Sequence, residues 1–173
     1  MTGAGGAAPG QQELFGGVSR TAEPVLMALH PHYYELIWQG RKTHEFRRRF
    51  LQGRPARWFV YLNAPASRLA AVIDLGPAVA GAPGQIAAIA ERARAGNGAS
   101  VLEYVQDLEV AFAIPILHVA EYPAVPAAQL RAELGAFFPP QGYVRLRQHP
   151  KLLAACERAA AGDPVREMVV HHR

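Results

Sequence analysis

The apolar residues of this chain occur in short runs that proline and glycine interrupt, and this pattern limits the fold more than any other feature. The run Trp58-Phe59-Val60-Tyr61-Leu62 is almost wholly apolar and aromatic, which predicts a central strand covered on both faces. Residues 25–29 predict a second buried strand. No run approaches the roughly 18 to 20 residues of a membrane-spanning helix, so we expect no membrane segment.

Periodicity predicts an α+β chain of six or seven short strands and five helices. Strands are expected at 25–29, 43–49, 58–62, 69–75, 110–114, 116–121 and 143–146. Helices are expected at 32–39, 85–95, 100–108, 126–134 and 151–161. Gly40 is placed to end the first helix and Ser100 to cap the third, while Pro115 divides two strands or bulges one. Strands this short need a closed or nearly closed sheet, which predicts a small mixed β-barrel of about six strands with helices inserted around it.

Positive charge is concentrated in one part of the sequence. The formal net charge is +4 and the pI is about 9.6. Between residues 41 and 57 only Glu45 opposes seven basic residues: Arg41, Lys42, Arg47, Arg48, Arg49, Arg54 and Arg57. Such a cluster attracts phosphates. A solvated basic surface is the alternative that charge alone leaves open.

The two ends of the chain differ in composition from the middle. Residues 1–23 are rich in Gly, Ala and Gln, which predicts a disordered tail, with Leu14-Phe15 as a possible docking motif. Residues 24–148 are expected to form the folded domain, and residues 149–173 a C-terminal helix and tail in which His171 and His172 are disordered. The start lacks the pattern of a secretory signal.

Neither a metal nor a cofactor is expected. The single cysteine, Cys156, forms no internal disulfide and suits a reducing cytoplasm. His30, His32 and His44 are close in sequence, but their spacing fits no standard zinc pattern.

Three segments resemble the ASCH domain family. The family opens with an apolar strand, a Pro-led helix and Gly-x-Lys-x-x-Glu-x-Arg, and here Gly40, Lys42, Glu45 and Arg47 occupy the four fixed places. Val60-Tyr61-Leu62-Asn63-Ala64-Pro65 resembles its strand and small-residue-Pro turn, and Pro139-Pro140-Gln141-Gly142-Tyr143 its closing segment. The resemblance covers about residues 25 to 147.

The resemblance implies a PUA-like β-barrel with a cleft beside the first helix. It also implies a binder of RNA or single-stranded nucleic acid, acting in translation or RNA-linked regulation. In that role Lys42 and Arg47 hold phosphates, Glu45 accepts hydrogen bonds from a base edge, and Thr43 adds a hydroxyl. Further candidates for nucleic-acid contact are Arg48, Arg49, Tyr143 and Arg145.

Two alternatives stay open. One is a small hydrolase, either an N4-acetylcytidine amidohydrolase or a ribonuclease, with Lys42, Thr43 and Glu45 as catalytic candidates. The amidohydrolase branch has a threonine three residues after its lysine, where this chain has Glu45. The other is an interaction or regulatory module that binds no nucleic acid and has an unknown protein partner.

Overall fold

The computed structural model describes residues 22–173. The expected disordered tail therefore lies, up to residue 21 and including Leu14-Phe15, outside the described residues. Glu23 does not belong to a tail, because it begins the first strand and is only 2% exposed. None of the helices in the described range has both the length and the hydropathy that crossing a bilayer requires.

Within residues 22–173, eight strands, five α-helices and one 3₁₀ helix follow one another. The strands are β1 Glu23–Leu29, β2 His44–Arg47, β3 Ala56–Leu62, β4 Arg68–Leu75, β5 Val79–Gly81, β6 Ala111–Pro126, β7 Val144–Arg145 and β8 Arg166–Val169. The α-helices are α1 Pro31–Trp38, α2 Pro83–Ala93, α3 Asn97–Val105, α4 Ala127–Leu134 and α5 Pro150–Ala159. The 3₁₀ helix, Leu146–Gln148, connects β7 to the loop before α5.

The strands form one mixed sheet in the order β2-β6-β4-β3-β1-β7, with β5 and β8 also paired to β6. The pair β1 and β3 is parallel and the other pairs are antiparallel. Among the described residues no pairing joins β2 to β7, so the sheet is a curled half-barrel. The predicted α+β class with inserted helices is confirmed, although there are eight strands where about six were expected.

Strand β6 has 16 residues and organises much of the sheet. Of the two alternatives at Pro115, the single bulged strand is confirmed, because pairing continues on both sides of the proline and the register with β4 shifts just after it, between Ile116 and His118. The Gly76 N–H donates to Pro115 O, and the Ile116 N–H donates to Thr43 O. Val79–Gly81 forms the short strand β5 against β6, in a stretch where no strand was expected.

The central strand β3 is buried on both faces, as its apolar run predicts. Trp58, Val60 and Leu62 belong to one core cluster, which α1 covers with Tyr34 and Ile37. Phe59 and Tyr61 belong to a second cluster, which α4 and α5 cover. The indole N–H of the fully buried Trp58 donates to Met27 O at 3.0 Å, so β1 and β3 are tied by a side chain as well as by their backbones.

The cap predicted for the third helix was wrong. Helix α3 begins at Asn97, after Gly96 with φ +87°, and Ser100 lies inside it. The carboxylate of Glu91 accepts hydrogen bonds from Gly96 N at 2.9 Å and Gly98 N at 2.9 Å. These backbone hydrogen bonds hold the pKa of Glu91 below its ordinary value. A residue of α2 therefore caps α3 and fixes the connection between the two helices.

The C-terminal segment is ordered, contrary to the expected disordered end at His171 and His172. Strand β8 pairs with residues 118–121 of β6. Beyond it, Val170 N donates to Leu117 O and His172 Nε2 donates to Ile116 O at 2.7 Å. Only four residues form β8, and they carry no apolar run, so the strand depends on its pairing with β6.

Candidate functional site

A cavity of about 280 Å³ lies between the end of β1, the start of α1, strand β2 and helix α3. One wall, formed by β2 and the residues before it, consists of Lys42, Glu45 and Arg47. The opposite wall is formed by Arg94, Asn97, Ser100 and Tyr104, from α3 and the segment before it. We call this cavity the cleft.

Glu45 occupies the centre of the first wall and is only 6% exposed. Its Oε2 lies 3.1 Å from Lys42 Nζ, and its Oε1 lies 3.0 Å from Arg47 Nε. Among the described residues, Glu45 Oε2 and Arg47 Nε nevertheless have no hydrogen bond of acceptable geometry. The three groups attract one another through charge, while a buried acceptor and a buried donor keep hydrogen-bonding capacity.

Backbone carbonyls hold the two cations in place. Lys42 Nζ donates to His44 O at 2.8 Å, and Arg47 Nη2 donates to Ala28 O at 2.8 Å. Arg47 also lies over the Trp58 ring, with Cζ 5.7 Å from the ring centroid. The positions of Lys42 and Arg47 are thus set by β1 and β2 before any ligand binds.

The second wall adds a third cation. Arg94 Nη2 donates to Asn97 Oδ1 at 2.9 Å, in the connection that Glu91 fixes. With Lys42 and Arg47, Arg94 gives the cleft three full positive charges against the one carboxylate of Glu45. Neither Arg94 nor Asn97 was predicted from the sequence. The polar Arg94-Ala95-Gly96-Asn97-Gly98 turn between two helices was the signal that could have indicated them.

Aromatic rings face the cleft from both walls. Tyr33 is 47% exposed and lines the cleft, while the adjacent Tyr34 is buried. Lys42 Nζ lies 5.5 Å from the centroid of the Tyr33 ring. Tyr104, also 47% exposed, lines the opposite wall. Exposed rings in this arrangement offer surfaces on which a planar base can stack.

Thr43 does not join Lys42 and Glu45. Its Oγ1 lies 2.9 Å from His44 Nδ1, and both residues line a separate open cavity of about 640 Å³ with Arg92 and His172. The His44 and His172 rings meet edge to face, with centroids 5.1 Å apart. Burial, and then the positive charges of His172 and Lys42, lower the pKa of His44 to about 4.

His30 and Arg48, which lie close to Lys42 in the sequence, have structural contacts. His30 Nδ1 accepts a hydrogen bond from His32 N and so caps α1. Arg48 donates two hydrogen bonds to Asp107, both at 2.7 Å, which join the end of β2 to the end of α3. Arg49 is exposed. In residues 22–173 no group of three His, Cys, Asp or Glu side chains is arranged to hold a metal ion.

Tyr143 and Arg145 lie away from the cleft. The Tyr143 ring packs against Phe50, with centroids 5.5 Å apart. Arg145 lies opposite Val25 near the start of β1, and its Nε donates to Glu23 Oε1 at 3.1 Å. The cleft adjoins the other end of β1, so the structure does not bring these two residues together with Lys42, Glu45 and Arg47.

Comparison with known proteins identifies the fold. No family model and no curated protein matches this sequence. Crystal structures of an ASCH protein from Zymomonas mobilis do match. A serine-to-alanine variant superposes with a TM-score of 0.65 at 24% identity, over 78% of this chain and 97% of that one. The protein without substitution superposes with a TM-score of 0.63 at 24% identity, over 76% and 94%. The chain therefore has the fold of the solved ASCH structures, as the three resembling segments predicted.

Proposed function

We propose that the cleft binds one nucleotide of an RNA or of another single-stranded nucleic acid. The observation that carries this proposal is the lining of the cleft, in which the carboxylate of Glu45 and three cations share one cavity with two exposed tyrosine rings. An anionic ligand with hydrogen-bond donors on a planar group is complementary to such a site, and a nucleotide has both features.

In this proposal residues of both walls of the cleft contact the nucleotide. Glu45 accepts hydrogen bonds from the base edge, as a carboxylate can from an amino group. Tyr33 and Tyr104 stack on the base. Lys42 and Arg94 hold the phosphate, and Arg47 orients Glu45. A volume of about 280 Å³ is near the lower limit of ligand cavities, roughly 300 Å³, so one unstacked base fits better than a duplex.

The test is binding of labelled single-stranded RNA at low salt by wild-type protein and by Lys42→Gln and Arg94→Gln. We expect each substitution to weaken binding by about tenfold, since each removes a charged contact of about 1.4 kcal/mol. The matched control is Arg158→Gln, which removes an exposed arginine of α5. Absence of RNA and mononucleotide binding by the wild type would rule the proposal out.

A role in translation or RNA-linked regulation, and a cytoplasmic location, stay predictions.

Hydrolysis is the second candidate, and one observation favours it. The close contact of Lys42 with Glu45 provides an acid–base pair, and the Ser100 hydroxyl lines the same cavity. In such a reaction Glu45 would take the proton of the Ser100 hydroxyl as its oxygen attacks the acetyl carbonyl, and Lys42 would stabilise the oxyanion. Glu45 would then pass the proton to the departing amine as the C–N bond breaks, and water would hydrolyse the ester left on Ser100. Incubation with N4-acetylcytidine and with RNA, comparing the wild type with Lys42→Ala and Ser100→Ala, decides the matter. Turnover by the wild type that both variants lose would make the protein an enzyme.

A further inference from the structure

The start of β1 carries an arginine cluster, formed by Arg54, Arg145 and Arg147 around Glu23. Arg145 Nε lies 3.1 Å from Glu23 Oε1. Arg147 Nη1 and Arg54 Nη1 lie 3.3 Å and 3.5 Å from Glu23 Oε2. We propose that this cluster is a second contact for the nucleic-acid backbone, holding phosphates of a strand that also has one nucleotide in the cleft. The proposal rests on the function proposed for the cleft.

The charge of the cluster exceeds what Glu23 needs. A buried carboxylate requires a partner, because an unpaired charge in the interior is strongly destabilising, and Glu23 is only 2% exposed. One arginine neutralises it. Three surround it, so the cluster keeps a formal charge of +2. The excess is on the surface of the protein, where it is available to an anion.

The arginines also keep free donors in an ordered arrangement. The side chains of Arg54, Arg145 and Arg147 are 54%, 38% and 52% exposed. Each guanidinium has five N–H donors. The contact with Glu23 uses one nitrogen of each, and Arg147 Nη2 also donates to Ala22 O at 3.5 Å, so each group keeps donors that no contact uses. Because the carboxylate fixes the three groups, a phosphate can be bound with little further loss of side-chain entropy.

The distance between the cluster and the cleft suits a short single strand. Strand β1 has seven residues, from Glu23 in the cluster to Leu29 at the cleft. At about 3.3 Å per residue it spans about 20 Å. A stacked strand advances about 3.4 Å per nucleotide, so about six nucleotides are needed to reach both sites. A mononucleotide in the cleft cannot contact the cluster.

The experiment compares two lengths of fluorescein-labelled RNA, about two and about ten nucleotides, in a salt series. The test variant is the double substitution Arg54→Gln with Arg147→Gln. The control is Arg131→Gln with Arg158→Gln, which removes two exposed charges from α4 and α5. We expect the test variant to bind the longer RNA about tenfold or more weakly, to lower its salt slope by about 2, and to leave the shorter RNA unaffected. Lys42→Gln should weaken both lengths.

The substitution Glu23→Gln distinguishes a structural role of the three arginines from a role in binding RNA. This variant raises the formal charge of the cluster from +2 to +3, while its amide oxygen still accepts hydrogen bonds from the arginines, so it should bind the longer RNA as well as or better than the wild type, whatever it does to thermal stability. Equal salt slopes for the test and control variants would overturn the inference, and so would tighter binding of polyglutamate than of RNA. If the wild type binds the shorter RNA and binds the longer RNA no more tightly, the inference about the arginine cluster fails while the function proposed for the cleft stands. If it binds neither, the function proposed for the cleft fails as well.

Discussion

The ammonium group of Lys42 and the carboxylate of Glu45 lie 3.1 Å apart on one wall of the cleft. The same carboxylate lies 3.0 Å from Arg47 Nε. One buried acid thus sets the positions of two cations, and each cation is also fixed by a backbone carbonyl, His44 O or Ala28 O. Whatever binds in the cleft meets side chains that are already oriented, which lowers the entropy cost of binding.

Replacing Glu45 by Gln should destabilise the fold as well as the site. The amide keeps the shape but leaves Lys42 and Arg47 without their counter-charge in a mostly buried place, so the free energy of unfolding should fall by about 3 kcal/mol. Urea unfolding followed by circular dichroism measures this change. Glu103→Gln is the matched control, because Glu103 is exposed on α3. A decrease below about 0.5 kcal/mol, the size expected for an exposed pair, would show that Glu45 is not a structural anchor.

The lowered pKa of His44 predicts how the free energy of unfolding depends on pH. This pKa is lowered from 6.5 to about 4, by burial first and then by the positive charges of His172 and Lys42. Between pH 6.5 and about 4 the His44 ring is protonated in the unfolded chain but neutral in the folded chain. The contribution of the neutral ring to the free energy of unfolding is therefore fully present above pH 6.5 and is lost as the pH falls toward 4. Since the ring is partly exposed, we expect a loss of about 1 to 2 kcal/mol. His44→Gln should flatten the unfolding free energy between these pH values, whereas an unchanged slope would contradict the assignment.

The sequence predicted the parts of the fold that local patterns encode. Strands β1 and β3 were predictable because each is a long apolar run buried on both faces. Strand β8 was not, because four half-exposed residues form it only by pairing with β6. The start of α3 was misplaced because its cap, Glu91, comes from the preceding helix. The polar turn with Arg94 and Asn97 could be recognised from the sequence, but its place in the cleft could not, because only long-range folding brings it opposite β2. The roles of Lys42, Glu45 and Arg47 in binding stay predictions.

Trp58 tests the connection between β1 and β3. Its indole N–H donates to Met27 O at 3.0 Å in the fully buried core. Trp58→Phe removes the donor and part of the ring, so it should cost about 2 to 4 kcal/mol from the lost hydrogen bond and the cavity together. Guanidinium unfolding measures the loss. Phe59→Leu is the matched control, because Phe59 is an almost fully buried ring on the same strand and has no hydrogen bond to lose. Equal losses for the two variants would show that the Met27 hydrogen bond adds nothing.

Arg166 should hold β8 and the segment after it on the sheet. Its guanidinium donates two hydrogen bonds to Glu121, from Nε at 3.2 Å and from Nη2 at 3.0 Å, and lies 4.0 Å from the centroid of the Trp38 ring. Burial alone would raise the pKa of Glu121, but the hydrogen bonds from Arg166 and Tyr34 outweigh it and hold this pKa below its ordinary value. The pair therefore stabilises the fold above the ordinary pKa of a glutamate, and the effect is lost as the pH falls through the lowered value.

A double-mutant cycle with Arg166→Gln and Glu121→Gln measures the strength of this pair. We expect a coupling energy of about 1 kcal/mol at neutral pH, because the contact is bidentate but half-exposed. Arg166→Lys, which keeps the charge but loses the planar fork and the ring contact, should recover less than half of it. Hydrogen exchange should quicken at Val170 N, which bonds to Leu117 O just beyond β8. A coupling energy near zero with unchanged exchange at Val170 would mean that backbone pairing alone keeps the C-terminal strand in place, and that His172 reaches Ile116 and His44 without help from Arg166.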